Sequence, residues 1–197
     1  MNPSIGLVIP AHPARVRNGM LTRAINSVCV QKLQPSELHV TVDRRREGAA
    51  ATRNRGLAAV QAKWVAFLDS DDEFLPQHLE RLAAHAVETG ADMVYPWFEP
   101  VGMTDPVGRF GQPFDPVQLR TANYIPVTVL VRTELLRSVG GFRDRFDPAV
   151  LATCEDWGAW LALVDAGARI VHLPERTWKW HQHGGRTSGR AVQGDAA

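Results

Sequence analysis

Trp64-Val65-Ala66-Phe67-Leu68-Asp69-Ser70-Asp71-Asp72 joins five apolar residues to four polar ones, three of them carboxylates. An unbroken apolar run of this length reads as a strand buried on both faces. Carboxylates packed so closely repel one another unless a cation lies among them, and hard oxygen donors favour Mg²⁺ or Mn²⁺. A local alternative exists: Ser70 and Glu73 could form a capping box for the next helix, or Asp71 or Asp72 could cap it.

Outward from this stretch two periods alternate. Ile5 to Ile9 reads as a buried strand stopped by Pro10 and His12-Pro13, and Leu38 to Val42 as another, stopped by Asp43. Between them Leu21, Ala24, Ile25, Val28 and Cys29 share one helix face, with Asn18 as its cap. A second helix is expected from about Gly48 to Gln61. Leu79, Leu82, Ala83, Ala86 and Val87 repeat the helical spacing as far as Gly90, and Asp92 to Tyr95 begins a fourth strand. The alternation predicts an α/β fold, a mostly parallel, Rossmann-like sheet flanked by helices in a single compact domain.

From Pro96 to Pro116, glycines and prolines predict a long loop, and its stretch 100–116 could act as a lid excluding water. Val127 to Val131, a short helix from Thr133 and a Gly140-Gly141 turn follow. Trp157, Trp160, Leu161 and Val164 mark a further helix, and Ile170 to Leu173 a last strand. The small polar residues 189–197 read as a flexible tail.

The 197 residues carry 22 Lys and Arg against 21 Asp and Glu, a net charge of +1. Bulk charge therefore points to no nucleic acid. No stretch reaches the ~20 apolar residues of a membrane span, and the first residues lack a basic leader segment. Two cysteines, Cys29 and Cys154, are expected as buried thiols and suit a reducing compartment. These features predict a cytoplasmic protein.

Open α/β sheets bind ligands at the carboxyl ends of their parallel strands. Three polar strand ends are expected side by side there: Pro10-Ala11-His12, Asp43-Arg44 and Asp69 to Asp72. Arg53 and Asn54 could reach a phosphate or ribose from the second helix, or could belong to a solvated basic face. Glu155-Asp156 opens a helix. Thr153 and Asp156 match a capping box, while Asp156 could also act as a general base. His181 and His183 stand two apart on an extended segment, share a face, and could add a metal ligand beside Asp71.

Together these segments resemble the family 2 glycosyltransferases of GT-A fold. The resemblance runs through Leu7 to Ala11, Val42-Asp43, Gly48 to Leu57, Trp64 to Asp72, Gly140-Gly141-Phe142, Glu155-Asp156-Trp157, Gly167 and Val171 to Pro174. It implies transfer of a hexose, with inversion, from a nucleotide-diphosphate sugar (UDP-sugar foremost) to an acceptor hydroxyl. Residues 1–99 would form the nucleotide-sugar-binding half, and 100–188 the acceptor-binding half of the same domain.

The same resemblance implies residue roles. Pro10, Ala11, His12 and Asp43 would hold the nucleotide base, Arg53 would sit near the base or diphosphate, and Asp69 with Ser70 would bind ribose. Asp71 of this Asp-x-Asp motif would bind Mn²⁺ or Mg²⁺ bridging the diphosphate, with His181 or His183 as a further metal ligand. Asp156 would be the base, with Glu155 beside it. Gly141 and Trp157 would face the acceptor, which could be a glycan, a protein or a lipid head group.

The resemblance has departures and rivals. Arg44-Arg45-Arg46 stands where the family often shows a second acid, and the Gln-x-x-Arg-Trp signature of processive synthases is absent. A non-catalytic nucleotide-sugar or carbohydrate-binding module of the same fold is the first alternative. The second is a haloacid-dehalogenase-type phosphatase. That class places its Asp-x-Asp after the first strand and continues to a Thr, whereas here it follows the third strand with Glu73 in the Thr position.

Overall fold

All of β1 (Ile5–Ala11) is buried, because strands flank it on both sides and side chains pack on both its faces. Val8 points into one core, while Ile5, Leu7 and Ile9 point into the other. This is the computed structural model of the chain, and it describes residues 3–106, 108–143, 145–147 and 152–183. The tail expected over 189–197 lies outside these residues.

After β1 come α1 (Pro13–Arg17), α2 (Met20–Cys29), β2 (Glu37–Val42), α3 (Gly48–Ala59), β3 (Trp64–Phe67), β4 (Glu73–Phe74), α4 (His78–Thr89) and β5 (Met93–Val101). The second half adds α5 (Pro116–Thr121), β6 (Leu130–Arg132), α6 (Thr133–Ser138), β7 (Phe146–Asp147), β8 (Ala152–Thr153), α7 (Glu155–Asp165) and β9 (Ile170–His181). Among the described residues one sheet of order β2-β1-β3-β6-β5-β9-β4 forms the centre, and β7 pairs with β8 beside it. β2, β1, β3, β5 and β9 run the same way, while β6 and β4 run against them. The sheet is thus mixed, with a parallel majority. No helix among the described residues is long and apolar enough to cross a membrane.

The helical stripes hold except at their margins. α2 buries Leu21, Ala24, Ser27 and Val28. Cys29 comes one residue round from Val28 and is exposed, and Cys154 is half-buried, so neither is the buried thiol expected. α4 buries Leu79, Leu82, Ala83 and Ala86, but Val87 is 74% exposed. Asn18 does cap α2, from one position further out: its side-chain oxygen accepts the Met20 N–H at 3.2 Å, with Gly19 at the N-cap itself.

Both β5 and β9 outrun their expected ends at Tyr95 and Leu173. Pro96 and Pro174 lack the N–H that a ladder uses. The parallel β5–β9 pair absorbs them as register shifts around Pro96, Trp97 and Phe98, then continues to Val101 and His181. That continuation carries β9 back to the site.

Candidate active site

Just beyond β3 the chain turns over. The Asp69 carbonyl accepts the Asp72 N–H at 3.0 Å, and β4 departs to pair with β9. The capping reading of Ser70 to Glu73 fails here, since α4 starts only at His78, with Gln77 at its N-cap. The turn gives each acid a different fate. Asp72 is 3% exposed and accepts the His181 backbone N–H at 2.9 Å. Ser70 is buried. Asp71 Oδ2 lies 2.8 Å from His183 Nε2 and 3.3 Å from Arg15, and the Asp71 carbonyl accepts from Arg23 at 2.5 Å.

Carboxylate oxygens of Asp69, Asp71 and Asp72 lie within 4.8 Å of one another. Grouped with an imidazole, such hard oxygens fit Mg²⁺ or Mn²⁺. Within the group, Asp71 Oδ2 adjoins the His183 imidazole, while Asp72 Oδ1 also holds β9 and Asp69 Oδ1 also holds Arg53. β9 ends at His181, and of the two histidines it is His183 that meets Asp71. His181 Nε2 stands 2.6 Å from Glu73 Oε1 instead, and burial, followed by nearby Arg23, lowers the pKa of its imidazole.

Arg53 is 4% exposed, so it belongs to no solvated face. It lies in the middle of α3 and spans two elements: one guanidinium nitrogen is 2.5 Å from Asp69 Oδ1 and another hydrogen-bonds Glu155 Oε1. Burial alone would loosen its proton, but the Asp69 and Glu155 charges raise its pKa above the ordinary arginine value. Asn54 is committed elsewhere. It accepts the Phe142 N–H and donates to the Phe142 carbonyl, both at 2.9 Å, and so is not turned toward a phosphate.

α7 begins at Glu155 with Cys154 at the N-cap, one residue later than a Thr153 cap requires. Asp156 Oδ1 accepts the Trp157 N–H at 2.8 Å and the Asn123 side-chain amide at 3.1 Å. Loss of water around the carboxyl, then the adjacent Glu155 charge, pushes its pKa up to about 7, against the pull of Arg53. A carboxylate so shifted is a better proton acceptor than an ordinary one at neutral pH. Asn123 carries no motif, and nothing in the sequence pattern singles it out.

The remaining site expectations divide. Pro10 and Ala11 sit buried at the end of β1, beside β2 and β3. Both Asp43 oxygens accept backbone N–H groups, from Glu47 and Gly48 at 2.9 Å, so Asp43 anchors the start of α3 at that edge. His12 is exposed and caps α1, accepting the Ala14 N–H at 3.2 Å.

Gly141 and Trp157, expected toward the acceptor, are both buried. Trp157 is 4% exposed and gives its indole N–H to the Leu119 carbonyl at 2.6 Å. Gly141 is buried at φ 68°, and a Cβ there would overlap Asn54 Oδ1. Trp160 and Trp178 are also core residues, whereas Trp97 and Trp180 are half-buried. The segment expected as a lid packs on the sheet: Tyr95 donates to the Gln112 carbonyl at 2.7 Å, Asp105 pairs with Arg176, and Phe110 packs on Trp180.

Residues 21–138 match the family Glycosyl transferase family 2. The chain is 34% identical over 140 residues to the pre-mycofactocin glycosyltransferase of Mycobacterium tuberculosis, covering 65% of this chain and 29% of that protein. It is 26% identical over 165 residues to the succinoglycan biosynthesis protein ExoO of Rhizobium meliloti, covering 76% of this chain and 46% of that one. It thus spans less than half the length of either relative. Among solved structures, S. aureus TarS residues 1–349 in complex with UDP-GlcNAc superimposes with a TM-score of 0.72 at 19% identity, over 93% of this chain and 60% of that one. The TarS complex with UDP gives 0.69 at 20% identity, over 91% and 60%.

Proposed function

The chain belongs to glycosyl transferase family 2 and has the GT-A fold; on that premise we propose that it transfers a hexose from a UDP-sugar to an acceptor hydroxyl, with inversion and with a divalent cation. The observation that carries this reading is the meeting of two acid pairs through Arg53. Asp69 and Asp71 come from the turn after β3, Glu155 and Asp156 from the start of α7, and the guanidinium joins Asp69 to Glu155. The TarS structures hold UDP-GlcNAc or UDP, which supports a UDP-sugar as donor.

In this reading Pro10, Ala11 and Asp43 border the base, and Asp69 with Ser70 the ribose. Asp71 and His183 hold Mn²⁺ or Mg²⁺, which when bound offsets the charge of the leaving diphosphate. Arg53 occupies Glu155, so Asp156 is the acid left to accept a proton. Asp156 takes it from the acceptor hydroxyl as that oxygen attacks the anomeric carbon from the face opposite the diphosphate, an assistance worth roughly 10²–10⁴ in rate. One displacement, without a covalent sugar–enzyme intermediate, inverts the anomeric centre. A glycan, a protein or a lipid head group each fits as acceptor.

The test needs no acceptor. The protein is incubated with α-linked UDP-hexoses and Mn²⁺, and released UDP and the first-formed sugar anomer are followed by NMR. UDP release that EDTA stops, with the β-anomer appearing first, is the expected result. If UDP-hexoses bind but are never cleaved, with or without a panel of sugar acceptors, the non-catalytic binding module replaces this reading.

A further inference from the structure

We propose that Asn123 is a positioning residue for proton transfer, holding Asp156 by Oδ1 so that Oδ2 is the oxygen presented to the acceptor hydroxyl. The inference rests on Asp156 being the base. Its observation is separate, however, because it concerns the segment between α5 and β6, which the family resemblance leaves unassigned.

The Asn123 amide has one orientation open to it. Its Oδ1 accepts the Ile125 N–H at 3.2 Å, so its Nδ2 is the atom left to meet Asp156 Oδ1 at 3.1 Å. The segment itself is strapped to α7 on either side of that contact. Trp157 donates its indole N–H to the Leu119 carbonyl at 2.6 Å, and Trp160 donates to the Ile125 carbonyl at 3.1 Å. Leu119, Ile125 and Trp160 are fully buried, and Tyr124 is 2% exposed, so the strap cannot slide without opening the core. Asn123 is therefore held at fixed height over the first turn of α7.

The electrostatics explain why an amide suits this place. Asp156 faces Glu155 on its own helix, Arg53 from α3 and Asp69 from the turn after β3. Two of these are acids that favour the protonated carboxyl, and one is a cation that opposes them. A further cation at position 123 would stabilise the anion so well that it would lose basicity. A neutral N–H steadies the ionised form and adds no net charge. With the Trp157 N–H also on Oδ1, the described residues make no hydrogen bond to Oδ2.

Asn123→Asp tests this closely. It keeps the size and the oxygen that accepts from Ile125, and exchanges only the N–H donor for a carboxylate. Transfer at pH 7 should fall at least about tenfold, and the acid limb of its pH profile should move up by about one pH unit or more. UDP-sugar affinity should stay near wild type, while the second carboxylate beside the buried one should lower the melting temperature. Asn123→Ser, which offers a hydroxyl donor, should recover part of the loss and guards against misfolding of the first variant.

A pH profile for Asn123→Asp that superimposes on wild type, in an assay where Asp156→Asn is inactive, would overturn the positioning role and leave the base intact. If Asp156→Asn itself transfers at the wild-type rate, the base reading falls, and this inference with it.

Discussion

His183 Nε2 lies 2.8 Å from Asp71 Oδ2, although 112 residues separate the two in the chain. The contact is a product of topology. β4 has two residues, pairs antiparallel with Trp178 and Lys179, and so draws the far end of β9 over the acidic turn. Asp72 fastens the arrangement through the His181 backbone N–H. An edge strand too short to be seen by its period therefore delivers an imidazole to the carboxylate of an Asp-x-Asp motif.

Metal binding should separate the two histidines. With UDP present, His183→Ala should weaken Mn²⁺ binding about tenfold or more, a loss of ~1.4 kcal/mol. His181→Ala should leave it within about twofold, because that imidazole is engaged with Glu73. Asp71→Ala should abolish the metal dependence of UDP binding. Titration calorimetry of all three variants is the measurement, and equal Mn²⁺ affinity in His183→Ala and wild type would remove His183 from the site.

Arg53 should act on stability and on transfer by different routes. Arg53→Ala leaves Asp69 and Glu155 facing each other with no cation between them, which for a buried pair costs about 3–5 kcal/mol. Asp69 is about one-third exposed, so the lower end is expected. Arg53→Lys keeps the charge but cannot fork between two carboxylates. It should therefore retain more stability than Arg53→Ala while transferring sugar several-fold more slowly than wild type. Urea unfolding beside single-turnover transfer distinguishes these outcomes.

The sequence makes most of the fold readable for one physical reason: β1 and β3 are buried on both faces and so are written as continuous apolar runs. Their polar ends, with that of β2, then fall side by side. β5 and β9 are read short because Pro96 and Pro174 have no N–H to give, whereas a sheet with register shifts tolerates them. The acids are harder. Asp69, Asp71 and Asp72 stand alike in the sequence, and only a turn sorts them into one held by Arg53, one open to His183 and one buried on β9. Glu155 and Asp156 are equally indistinguishable until Arg53 takes the first. Asn123 is invisible, because its place depends on two indole hydrogen bonds from a helix more than thirty residues away.

His78 should make stability fall in mild acid. It is fully buried on Phe74, with ring centroids 3.8 Å apart, and its Nδ1 lies 2.8 Å from the Thr177 hydroxyl. Burial lowers its pKa to about 3 from an ordinary 6.5. Between these values the unfolded chain binds a proton that the folded one refuses. The contribution is therefore fully present above about pH 6.5 and is lost toward pH 3, at about 1.4 kcal/mol per unit. His78→Gln should be less stable at pH 7 through lost packing, yet should lose less on acidification. Urea midpoints between pH 7 and pH 4 measure the slopes, and parallel slopes would show that His78 protonates in place.

Gly56 sets two effects against each other at the contact between α3 and β1. Replacing a glycine inside a helix by alanine normally gains about 1 kcal/mol. At this position a Cβ would overlap Cγ1 of Val8, which is 0% exposed in a strand flanked on both sides. Forcing one carbon into such packing costs about 1–3 kcal/mol. Val8 cannot swing into solvent, and β1 cannot retreat without unpairing from β2 and β3, so the clash should win. Gly56→Ala is expected to lower stability by about 1 kcal/mol, the propensity gain included. The double variant Val8→Ala/Gly56→Ala removes the methyl groups that the new Cβ meets. It should be more stable than the sum of the two single changes, with a coupling of about 0.5 kcal/mol or more. Urea unfolding of the four proteins closes the cycle. A Gly56→Ala protein more stable than wild type, with no coupling to Val8, would mean that α3 rides further from β1 than the close contact at Gly56 implies.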